Sequence, residues 1–408
     1  MSNKRVVITG IGVVSPAGRR LDDFMENILS GTSFLKEIDR FDASAYPSRH
    51  AGMLEQLDAD DTFPKRMLKK LDRFSHMALL AADDAINDSG IDIESEDKER
   101  IGIILGNALG GWAFAEEELR DLHRLGVREV SPYQATAWFP AAPQGQISIN
   151  YGLKGFGKTI ISDIASSHLA INYAARAIMS GRADVVLAGG TEAPVSPYAL
   201  LCCNTSGELS LAGKYKPFDR SRDGYVIGEG SAILMVEEME RAKKRGARIY
   251  AEIAGFGHTS DGISPTGHDP EGKGIARAMK AAIDGSGIKP DDIQYILPAA
   301  TGGLNSDEGE AMALGRLFGE SLISSVSVGA PKTLFGNLLG ASGAVDAAIA
   351  CLAIERGEAP ITMGCADPEA GWRWSKDYGV VVFKEIENVM INSIGRGGVN
   401  ASLVLGRI

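Results

Sequence analysis

The stretch 158–192, KTIISDIASSHLAINYAARAIMSGRADVVLAGGTE, decides the fold class. A β-rich apolar run leads into a few small residues, a long alanine-rich segment follows, and a second apolar run ends in Gly189 and Gly190. This order predicts a strand, a sharp turn, a helix and a second strand. Such a turn presents one side chain at a helix N-terminus, where enzymes often place a nucleophile. Here that side chain is Ile164, which carries no reactive group.

The overall composition is that of an ordinary globular protein and excludes several classes. Of 408 residues, 44% are apolar and 23% are charged. The formal net charge of −11 argues against a nucleic-acid partner, because phosphate neutralisation needs a basic face. The sequence has no apolar run of about 18 residues that would predict a membrane helix. The N-terminal MSNKRVVITG lacks the apolar core of a signal peptide, so we expect a cytoplasmic protein without a membrane partner.

The cysteines and histidines indicate neither a disulfide framework nor a metal site. The six histidines show no HxH or HExxH pattern. The four cysteines lack CxxC spacing, and we expect them to be buried free thiols: Cys202, Cys203, Cys351 and Cys365. We therefore expect no metal and no other cofactor.

Several segments of the chain repeat in the same order. Each pair shares one pattern of helix, glycine and strand, and the pairs are AINDSGIDIESEDKERIGIILGNALGG (85–111) with AIDGSGIKPDDIQYILPAATGG (282–303), LAINYAARAIMSGRADVVLAGG (169–190) with GAVDAAIACLAIERGEAPITMG (343–364), and RVVITGIGVVSP (5–16) with IYAEIAGFGHTS (249–260). This repetition predicts two α/β halves, residues 1–250 and 251–408, with their join near 245–255.

The repeated helices also predict how the halves are stacked. The small-residue helices after residues 164 and 340 lack a polar face, so we expect both to be buried on all sides. Alternating strands and helices form parallel sheets covered by helices. Buried helices between two such sheets give an α/β fold, a five-layered α-β-α-β-α sandwich.

A basic stretch, KRMLKKLDR at 65–73, stands out in this acidic chain. Its cations, which recur at helical spacing, are Lys65, Arg66, Lys69, Lys70 and Arg73. The pattern is typical of a solvated helix face and is also compatible with a docking patch for an acidic partner.

Longer motifs resemble the β-ketoacyl-acyl-carrier-protein synthases of the thiolase fold, most closely the elongating synthases of bacterial fatty-acid and type II polyketide assembly. The resemblance extends from about Arg5 to Ile408. It is carried by VVITGIGVVSPAG (6–18), RADVVLAGGTE (182–192), KPFDRSRDGYVIGEGSAILMVEEMERAKKRGARIYAEIAGFG (216–257), KTLFGNLLGASGA (332–344) and NSIGRGGVNASLVL (392–405).

The resemblance implies a cysteine that accepts the acyl chain and two histidines that promote decarboxylation of the malonyl extender. The cysteine position falls on Ile164 in SDIASS. The first histidine position falls on Ala299 in LPAATGG, and the second on Asn337 in KTLFGNLLG. All three reactive side chains are therefore absent from this chain.

The surrounding motif residues are retained. Lys332 and Glu310 match the charged pair near the family's active site, whereas Arg396 stands where the family has an aromatic gate. The turn glycines are also present, at Gly336, Gly340, Gly343, Gly397 and Gly398. Retention of the scaffold without the reactive groups indicates another task for the fold.

The resemblance is closest to the chain-length factor, or ketosynthase β subunit, of type II polyketide synthases. It implies no activity alone, heterodimerisation with a catalytic ketosynthase α subunit, and an acyl carrier protein that brings a phosphopantetheine-linked chain. Such a subunit stabilises its partner and limits product length by shaping the acyl tunnel. Ile164 is then either a stiff plug in the vacated pocket or a core residue that drifted after loss of function.

Other functions stay open. Ser166, Ser167 and His168 could serve a new hydrolase, although consecutive helix residues do not face one another. The chain could also be an atypical acyltransferase or condensing enzyme with relocated residues. A structural or regulatory thiolase-fold protein outside polyketide assembly is the remaining alternative.

The resemblance also assigns interface and tunnel segments in the first half. It implies that KTIISD (158–163) pairs with a partner strand and that GNALGGWAFAEE (106–117) and SPYQATAWFPAAPQG (131–145) line the tunnel. The side chains in question are Leu109, Trp112, Phe114, Gln134, Trp138 and Phe139. Large aromatics would stop a growing chain, yet Trp112 and Trp138 could equally pack a dimer core. Lys65, Arg66, Lys69 and Lys70 resemble the region where carrier proteins dock.

Overall fold

The computed structural model describes residues 4–57, 59–319, 326–361, 364–369 and 380–408. Its α-helices are α1 Leu21–Leu29, α2 Lys65–Leu68, α3 Arg73–Ser89, α4 Trp112–Arg124, α5 Gln134–Trp138, α6 Ala142–Tyr151, α7 Ser166–Met179, α8 Pro197–Thr205, α9 Met239–Lys244, α10 Lys273–Ser286, α11 Leu304–Phe318 and α12 Ser342–Arg356. Within these ranges, none of the helices has both the length and the apolar character that crossing a membrane requires.

The strands form one large mixed sheet and two small ones. They are β1 Val6–Val14, β2 Leu35–Glu37, β3 His50–Gly52, β4 Ile101–Gly106, β5 Gly157–Ile160, β6 Val185–Glu192, β7 Ile227–Gly228, β8 Gly230–Glu238, β9 Ala251–Ser260, β10 Tyr295–Leu297, β11 Ser327–Val328, β12 Glu358–Pro360, β13 Val380–Val382, β14 Asn388–Gly395 and β15 Val399–Gly406. The large sheet has the order β11-β10-β14-β15-β9-β1-β8-β6-β4-β5.

The two ends of the large sheet are built alike. From the outer edge to the middle, the first half has β5-β4-β6-β8-β1 and the second half has β11-β10-β14-β15-β9. Numbered within its own half, each follows the order third, second, fourth, fifth, first. The halves meet where β1 pairs with β9, at Val7 with Glu252 and Ile8 with Ala251. The repeat read from the sequence therefore corresponds to a repeat in strand order.

Helices cover and separate the half-sheets. The central helices α7 and α12 each contact strands of both halves, because α7 packs on β4, β6 and β15 and α12 packs on β8 and β14. Helix α3 covers the outer face of β1 and β8, while α10 packs on β9, β15 and α11. The predicted five-layered α-β-α-β-α sandwich is confirmed.

The two central helices differ in burial. Every residue of α12 from Ser342 to Ile354 is buried, as predicted. The prediction was wrong for α7, where Tyr173, Arg176 and Met179 form an exposed stripe at helical spacing. The alanine-rich sequence around Arg176 resembles that of a fully buried helix, although Arg176 is itself a signal for an exposed face.

A second difference concerns the strand after α12. The sequence pairs residues 359–363 with β6, but β12 leaves the large sheet and forms a two-stranded hairpin with β13. The place that matches β6 is taken by β14, farther along the chain. A short apolar run predicts a strand without specifying its sheet.

Two smaller expectations also change. The basic stretch is not one helix: α2 ends at Leu68, and the Asp72 side chain caps a new helix by accepting from the Phe74 N–H at 3.0 Å. The four cysteines are free, as expected, but Cys202 is exposed and not buried.

Candidate functional site

The turn between β5 and α7 has the strained geometry that its sequence predicts. Its left-handed residue is Asp163, with φ of 51°, immediately before Ile164. The Ser166 hydroxyl accepts from the Ser162 N–H at 2.8 Å and donates to the Asp163 carbonyl at 2.6 Å. The serine therefore fixes the turn from inside and is not available as a nucleophile.

Ile164 is 5% exposed and occupies the top of this turn. It belongs to an apolar cluster with Leu200, Cys203, Tyr225 and Leu339. Burying an isoleucine side chain stabilises a fold by about 1.5–3 kcal/mol. The position that would present a nucleophile is thus filled by a packed hydrocarbon.

Tyr215 connects the two positions at which the resemblance expects histidines. Its hydroxyl donates to the Ala300 carbonyl at 2.8 Å and accepts from the Asn337 amide at 3.3 Å. Tyr215 also packs in the cluster that contains Ile164. The structure therefore brings Ile164, the Ala299 loop and Asn337 to one place, as the motif spacing requires.

Asn337 uses its amide to hold the local backbone. Its Oδ1 accepts from the Leu339 N–H at 2.9 Å and from the Ser342 hydroxyl at 3.0 Å, while its Nδ2 donates to Tyr215. Ala299 has no polar side-chain group. Neither residue can act as the general acid or base that a histidine would supply.

The two retained charged residues hold the same loop through different contacts. Lys332 contacts Asp346 at 2.6 Å, with its Nζ also donating to the Pro298 carbonyl at 2.8 Å. Glu310 accepts from the N–H groups of Ala299 and Ala300 at 2.9 and 3.0 Å. The ion-pair partner of Lys332 is thus Asp346 of the buried α12, a residue that the sequence motifs do not indicate.

Burial controls the ionisation of these acids. It raises the pKa of Glu310, against the N–H bonds from Ala300 and Ala299, which lower it. It also raises the pKa of Asp346, and Lys332 opposes this shift. Lys332 and Glu310 together hold the 298–300 loop by its backbone, and this is a structural task.

A cleft of about 480 Å³ opens beside Ile164. The first half contributes Asp163, Glu208 and Tyr225, and the second half contributes Thr301, Ser306, His268 and Arg396. Arg396 lies in the turn between β14 and β15, and its guanidinium is 2.5 Å from Glu208. The residue in the gate position is therefore an ion-paired cation.

The candidate hydrolase residues do not form a catalytic group. The Ser167 hydroxyl accepts from the Ala344 N–H at 3.0 Å, and Ser166 holds the turn. His168 is buried, and neither of its ring nitrogens has a hydrogen-bond partner among the described residues. Burial, helped by the charge of Lys332, lowers the pKa of His168 to about 3. A neutral histidine without contact to either serine cannot activate them.

Glu192 is a buried carboxylate that the motifs do not indicate. It ends β6 and accepts from the N–H groups of Ala108, Leu109 and Gly340 at 2.6, 3.1 and 3.1 Å. Burial raises its pKa to about 8, although these three bonds act in the opposite direction. Glu192 thereby joins the tunnel segment that contains Leu109 to the turn that follows Asn337.

The aromatic side chains of the two tunnel segments partly meet. The ring centroid of Trp112 lies 6.4 Å from that of Trp138 and 4.7 Å from that of Tyr198, and Trp138 lies 6.3 Å from Phe139. Trp138 is 37% exposed and Phe139 is 55% exposed. We call Trp112, Trp138, Phe139 and Tyr198 the aromatic cluster.

The other tunnel candidates lie around this cluster. Leu109 packs partly against the apolar cluster of Ile164. Phe114 is half-buried, and its N–H donates to the Asp72 carboxylate at 2.8 Å. Gln134 begins α5 and is half-buried. Of the six predicted residues, three are joined by ring contacts, which link Trp112 to Trp138 and Trp138 to Phe139.

The basic stretch lies next to these segments. Lys65, Arg66 and Lys69 are exposed, whereas Lys70 lies 4.6 Å above the Tyr133 ring. Arg73 turns inward to the buried Glu229 at 2.9 Å and is not part of an exposed face. The exposed basic patch is thus Lys65, Arg66 and Lys69, with Lys70 at its border.

Strand β5 forms an edge of the large sheet. It pairs with β4 on one side and is the last strand in the order. Ile161, directly after it, is 59% exposed, and Ile149 of α6 is exposed as well. Among the described strands, β5 thus has one edge without a partner, and an open strand edge flanked by apolar side chains is able to pair with another chain.

Comparison with known proteins identifies the family. The β-ketoacyl synthase N-terminal domain matches residues 3–242, and the β-ketoacyl synthase C-terminal domain matches residues 250–366. The chain belongs to the β-ketoacyl synthase family. Its thiolase-like fold, expected from the sequence, is confirmed.

The family members most informative for this chain are named as synthases. It is 36% identical over 413 residues to the 3-oxoacyl-[acyl-carrier-protein] synthase 2 of Coxiella burnetii, with 100% of both chains covered. It is also 36% identical over 410 residues to the protein of the same name from Staphylococcus aureus (strain COL), with 98% of both covered.

Solved structures of the family superimpose over almost the whole chain. The ishigamide ketosynthase/chain length factor matches with a TM-score of 0.92, at 27% identity and 99% coverage of both chains. A β-ketoacyl synthase from Burkholderia phymatum STM815 matches with 0.92, at 29% identity, 99% and 100% coverage. A type II polyketide acyl-carrier protein in complex with its ketosynthase bound to the hexaketide matches with 0.90, at 26% identity and 99% coverage of both.

Several residues of the site have signals that the sequence reading missed. Asp346 is the one acid in the fully buried stretch Ser342–Ile354 of α12, and a charge in a buried stretch requires a partner. Glu192 ends an apolar strand and carries the same signal. Tyr215 and Glu208 lie in loops and have no such mark, since only the fold brings Tyr215 to Asn337 and Glu208 to the cleft.

Proposed function

We propose that this chain is a non-catalytic subunit of a β-ketoacyl synthase complex. It pairs with an active ketosynthase, stabilises it, and contributes side chains that limit the length of the acyl product. In this proposal the partner's cysteine carries the growing chain, and the partner's histidines handle decarboxylation. The two halves, 1–250 and 251–408, supply the scaffold, and the insertions in the first half supply the contact surface.

The observation that carries the proposal is the chemistry at the three family positions. Ile164 is packed hydrocarbon, Ala299 has no polar group, and the Asn337 amide is bound to Leu339, Ser342 and Tyr215. Acyl transfer needs a nucleophile and a group that stabilises the enolate. The serines and the histidine that follow Ile164 do not replace them.

Several features of the outer surface support the proposed pairing with another protein. The open edge of β5, the exposed Ile161 and the partly exposed aromatic cluster lie in the segments that the family resemblance assigns to the interface. Large apolar interfaces are typical of obligate pairs. The exposed Lys65, Arg66 and Lys69 suit an acidic carrier protein, because opposite charges accelerate association.

The structural relatives support this assembly by their own descriptions. One is a ketosynthase/chain length factor, and another is an acyl-carrier protein in complex with its ketosynthase. We infer a carrier protein and a ketosynthase as the partners of this chain, with type II polyketide assembly as the context.

A second candidate is favoured by the sequence relatives. Because proteins 36% identical to the chain are named 3-oxoacyl-[acyl-carrier-protein] synthases, the chain could condense acyl groups by itself with relocated residues. That candidate requires a group within the cleft that replaces the missing cysteine and histidines.

Restoring only the nucleophile separates the two candidates. We expect Ile164→Cys to give a thiol at the helix N-terminus without restoring condensation, since Ala299 and Asn337 still leave the enolate unsupported. The measurement is mass-spectrometric detection of acylation together with product analysis. Full synthase activity of Ile164→Cys would show that other residues supply the histidine chemistry, and it would overturn the proposal.

A further inference from the structure

The cleft beside Ile164 is lined by charged side chains from both halves of the molecule. Arg396 comes from the β14–β15 turn of the second half, and Glu208 comes from the loop after α8 in the first half. Their side chains meet at 2.5 Å, and His268 of the second half lies 3.7 Å from the other Glu208 oxygen. All three side chains are at least partly shielded from solvent.

Each end of this bridge is fixed to the walls of the cleft. The Arg396 N–H donates to the Asp163 carboxylate at 2.7 Å, so the arginine backbone is held against the strained turn before Ile164. The Tyr225 N–H donates to the Glu208 carbonyl at 3.0 Å, and Tyr225 belongs to the same apolar cluster as Ile164. The ion pair and the residue that fills the nucleophile position therefore line the same cleft.

The other charged residues of the cleft are engaged elsewhere. Asp223 accepts from the Ser210 hydroxyl and from two N–H groups of the same loop. Arg222 donates to Glu369 at 2.8 Å and to the Leu304 carbonyl at 3.0 Å. Arg396 and Glu208 are both lining residues, and their ion pair joins the two halves within the cleft.

The electrostatics favour the closed arrangement. Burial lowers the pKa of Arg396, but the hydrogen bond and charge of Glu208 outweigh it and raise the pKa overall. Burial raises the pKa of Glu208, but the hydrogen bonds and charges of His268 and Arg396 lower it by more. The pKa of Glu208 is therefore lowered overall, and the carboxyl stays ionised. A partly shielded pair is screened less by salt than an exposed one.

We propose that Arg396, Glu208 and His268 form a latch that keeps the cleft of this chain closed to acyl groups. The purpose of the latch rests on the proposed function, because a carrier-bound acyl group that cannot enter this cleft enters the cleft of the partner ketosynthase. In this proposal the Arg396–Glu208 ion pair keeps acyl groups out of the cleft, and Ile164 fills the nucleophile position as well.

Alkylation of a thiol beneath the latch tests this proposal without relying on synthase activity. The experiment uses the full chain with Cys202→Ser, which removes the exposed thiol, and Ile164→Cys, which places a thiol on the floor of the cleft. The probe is N-ethylmaleimide, which adds to the thiol with no leaving group. Peptide mass spectrometry separates the adduct at position 164 from any adduct at the buried Cys203.

We expect slow alkylation at position 164 with the latch intact and at least about tenfold faster alkylation after Arg396→Ala. Glu208→Gln should also accelerate alkylation at position 164. The charge-swapped double variant, Arg396→Glu with Glu208→Arg, should restore the ion pair and return the alkylation rate toward the slow value. Arg20→Ala, which removes an exposed arginine of α1's N-terminus, is the matched control and should leave the rate unchanged.

Equal alkylation rates in the latched protein and in both single variants, with circular dichroism unchanged, would overturn the latch. That outcome leaves the proposed function standing, because a non-catalytic subunit needs no latch. Conversely, condensation by the chain alone would overturn the proposed function even if the latch controls access to position 164.

Discussion

The interior around Ile164 and the edge at β5 differ in how their groups are satisfied. Inside, Asn337, Lys332 and Glu310 are paired, and the nucleophile position is packed with hydrocarbon. At the edge, β5 ends the sheet and Ile161 is exposed. The interior positions that the family resemblance assigns to chemistry are thus packed or hydrogen-bonded, whereas an exposed apolar side chain and a strand edge lie at the surface.

The largest effect should follow from breaking a pair in the interior. Lys332→Met leaves the buried Asp346 without its cation, and losing one partner of a buried pair costs about 3–5 kcal/mol. We expect poor soluble yield or a large fall in the melting temperature. Lys280→Met, which breaks an exposed pair with Asp284, is the control and should cost less than about 1 kcal/mol. Similar melting temperatures for the two variants would show that the interior pair is not structural.

A negative charge introduced next to the β5 edge should weaken the complex with a ketosynthase without unfolding the chain. We expect Ile161→Asp to weaken association with a co-expressed ketosynthase by about 2 kcal/mol or more, as hot-spot residues do. The melting temperature of the isolated chain should hardly change. Pull-down and calorimetry measure the two quantities, and Val382→Asp on the exposed β13 is the control. If both variants bind equally well, the partner does not use the β5 edge.

The buried Glu192 should make stability depend on pH. Its folded pKa of about 8 lies above the roughly 4.3 of an unfolded glutamate, so the folded state holds the proton more tightly. Its contribution is therefore complete below about pH 4 and is lost as the pH rises toward 8. Glu192→Gln should flatten this fall in the unfolding free energy, because the glutamine amide does not titrate.

Urea unfolding at several pH values measures the slope, and Glu26→Gln in the exposed face of α1 is the control. An unchanged slope in Glu192→Gln would indicate that the three N–H donors keep this carboxylate ionised at all these pH values.

The last prediction concerns the aromatic cluster, where the expected change is in the length of the product. Trp112→Ala removes ring contacts to Trp138 and Tyr198, each worth about 0.5–1.5 kcal/mol beyond burial. In the reconstituted complex we expect longer products, measured by mass spectrometry. Phe114→Ala and Trp138→Ala should act in the same direction, and Phe34→Ala, which removes a half-buried aromatic elsewhere, should not. Unchanged product length in all three would leave the aromatic residues a packing role alone.

Much of the fold was predictable because its pattern is local. The repeat of helix, glycine and strand predicted the layers, and the family resemblance assigned the altered positions to Ile164, Ala299 and Asn337. In the structure Tyr215 bonds Asn337 and the Ala300 carbonyl, next to Ala299, and packs in the cluster of Ile164. The burial of α12 follows from its small-residue pattern.

The contacts between distant segments were not predictable in this way. The ion pair of Lys332 with Asp346 depends on how α12 packs, and no motif indicated it. The exposed stripe of α7 was not predicted, because Arg176 is a single charge in an alanine-rich helix. The Arg396–Glu208 pair joins loops 188 residues apart, and nothing in either loop marks the other.

The most direct test of the account is to measure turnover by the purified chain alone, supplied with malonyl-loaded and acyl-loaded carrier protein. We expect neither condensation nor malonyl decarboxylation above the protein-free background, and condensation only when an active ketosynthase is added. Turnover by the chain alone that Asn337→Ala or Ser166→Ala abolishes, with the fold intact, would contradict the account. It would show that a catalytic site exists where we find a packed interior.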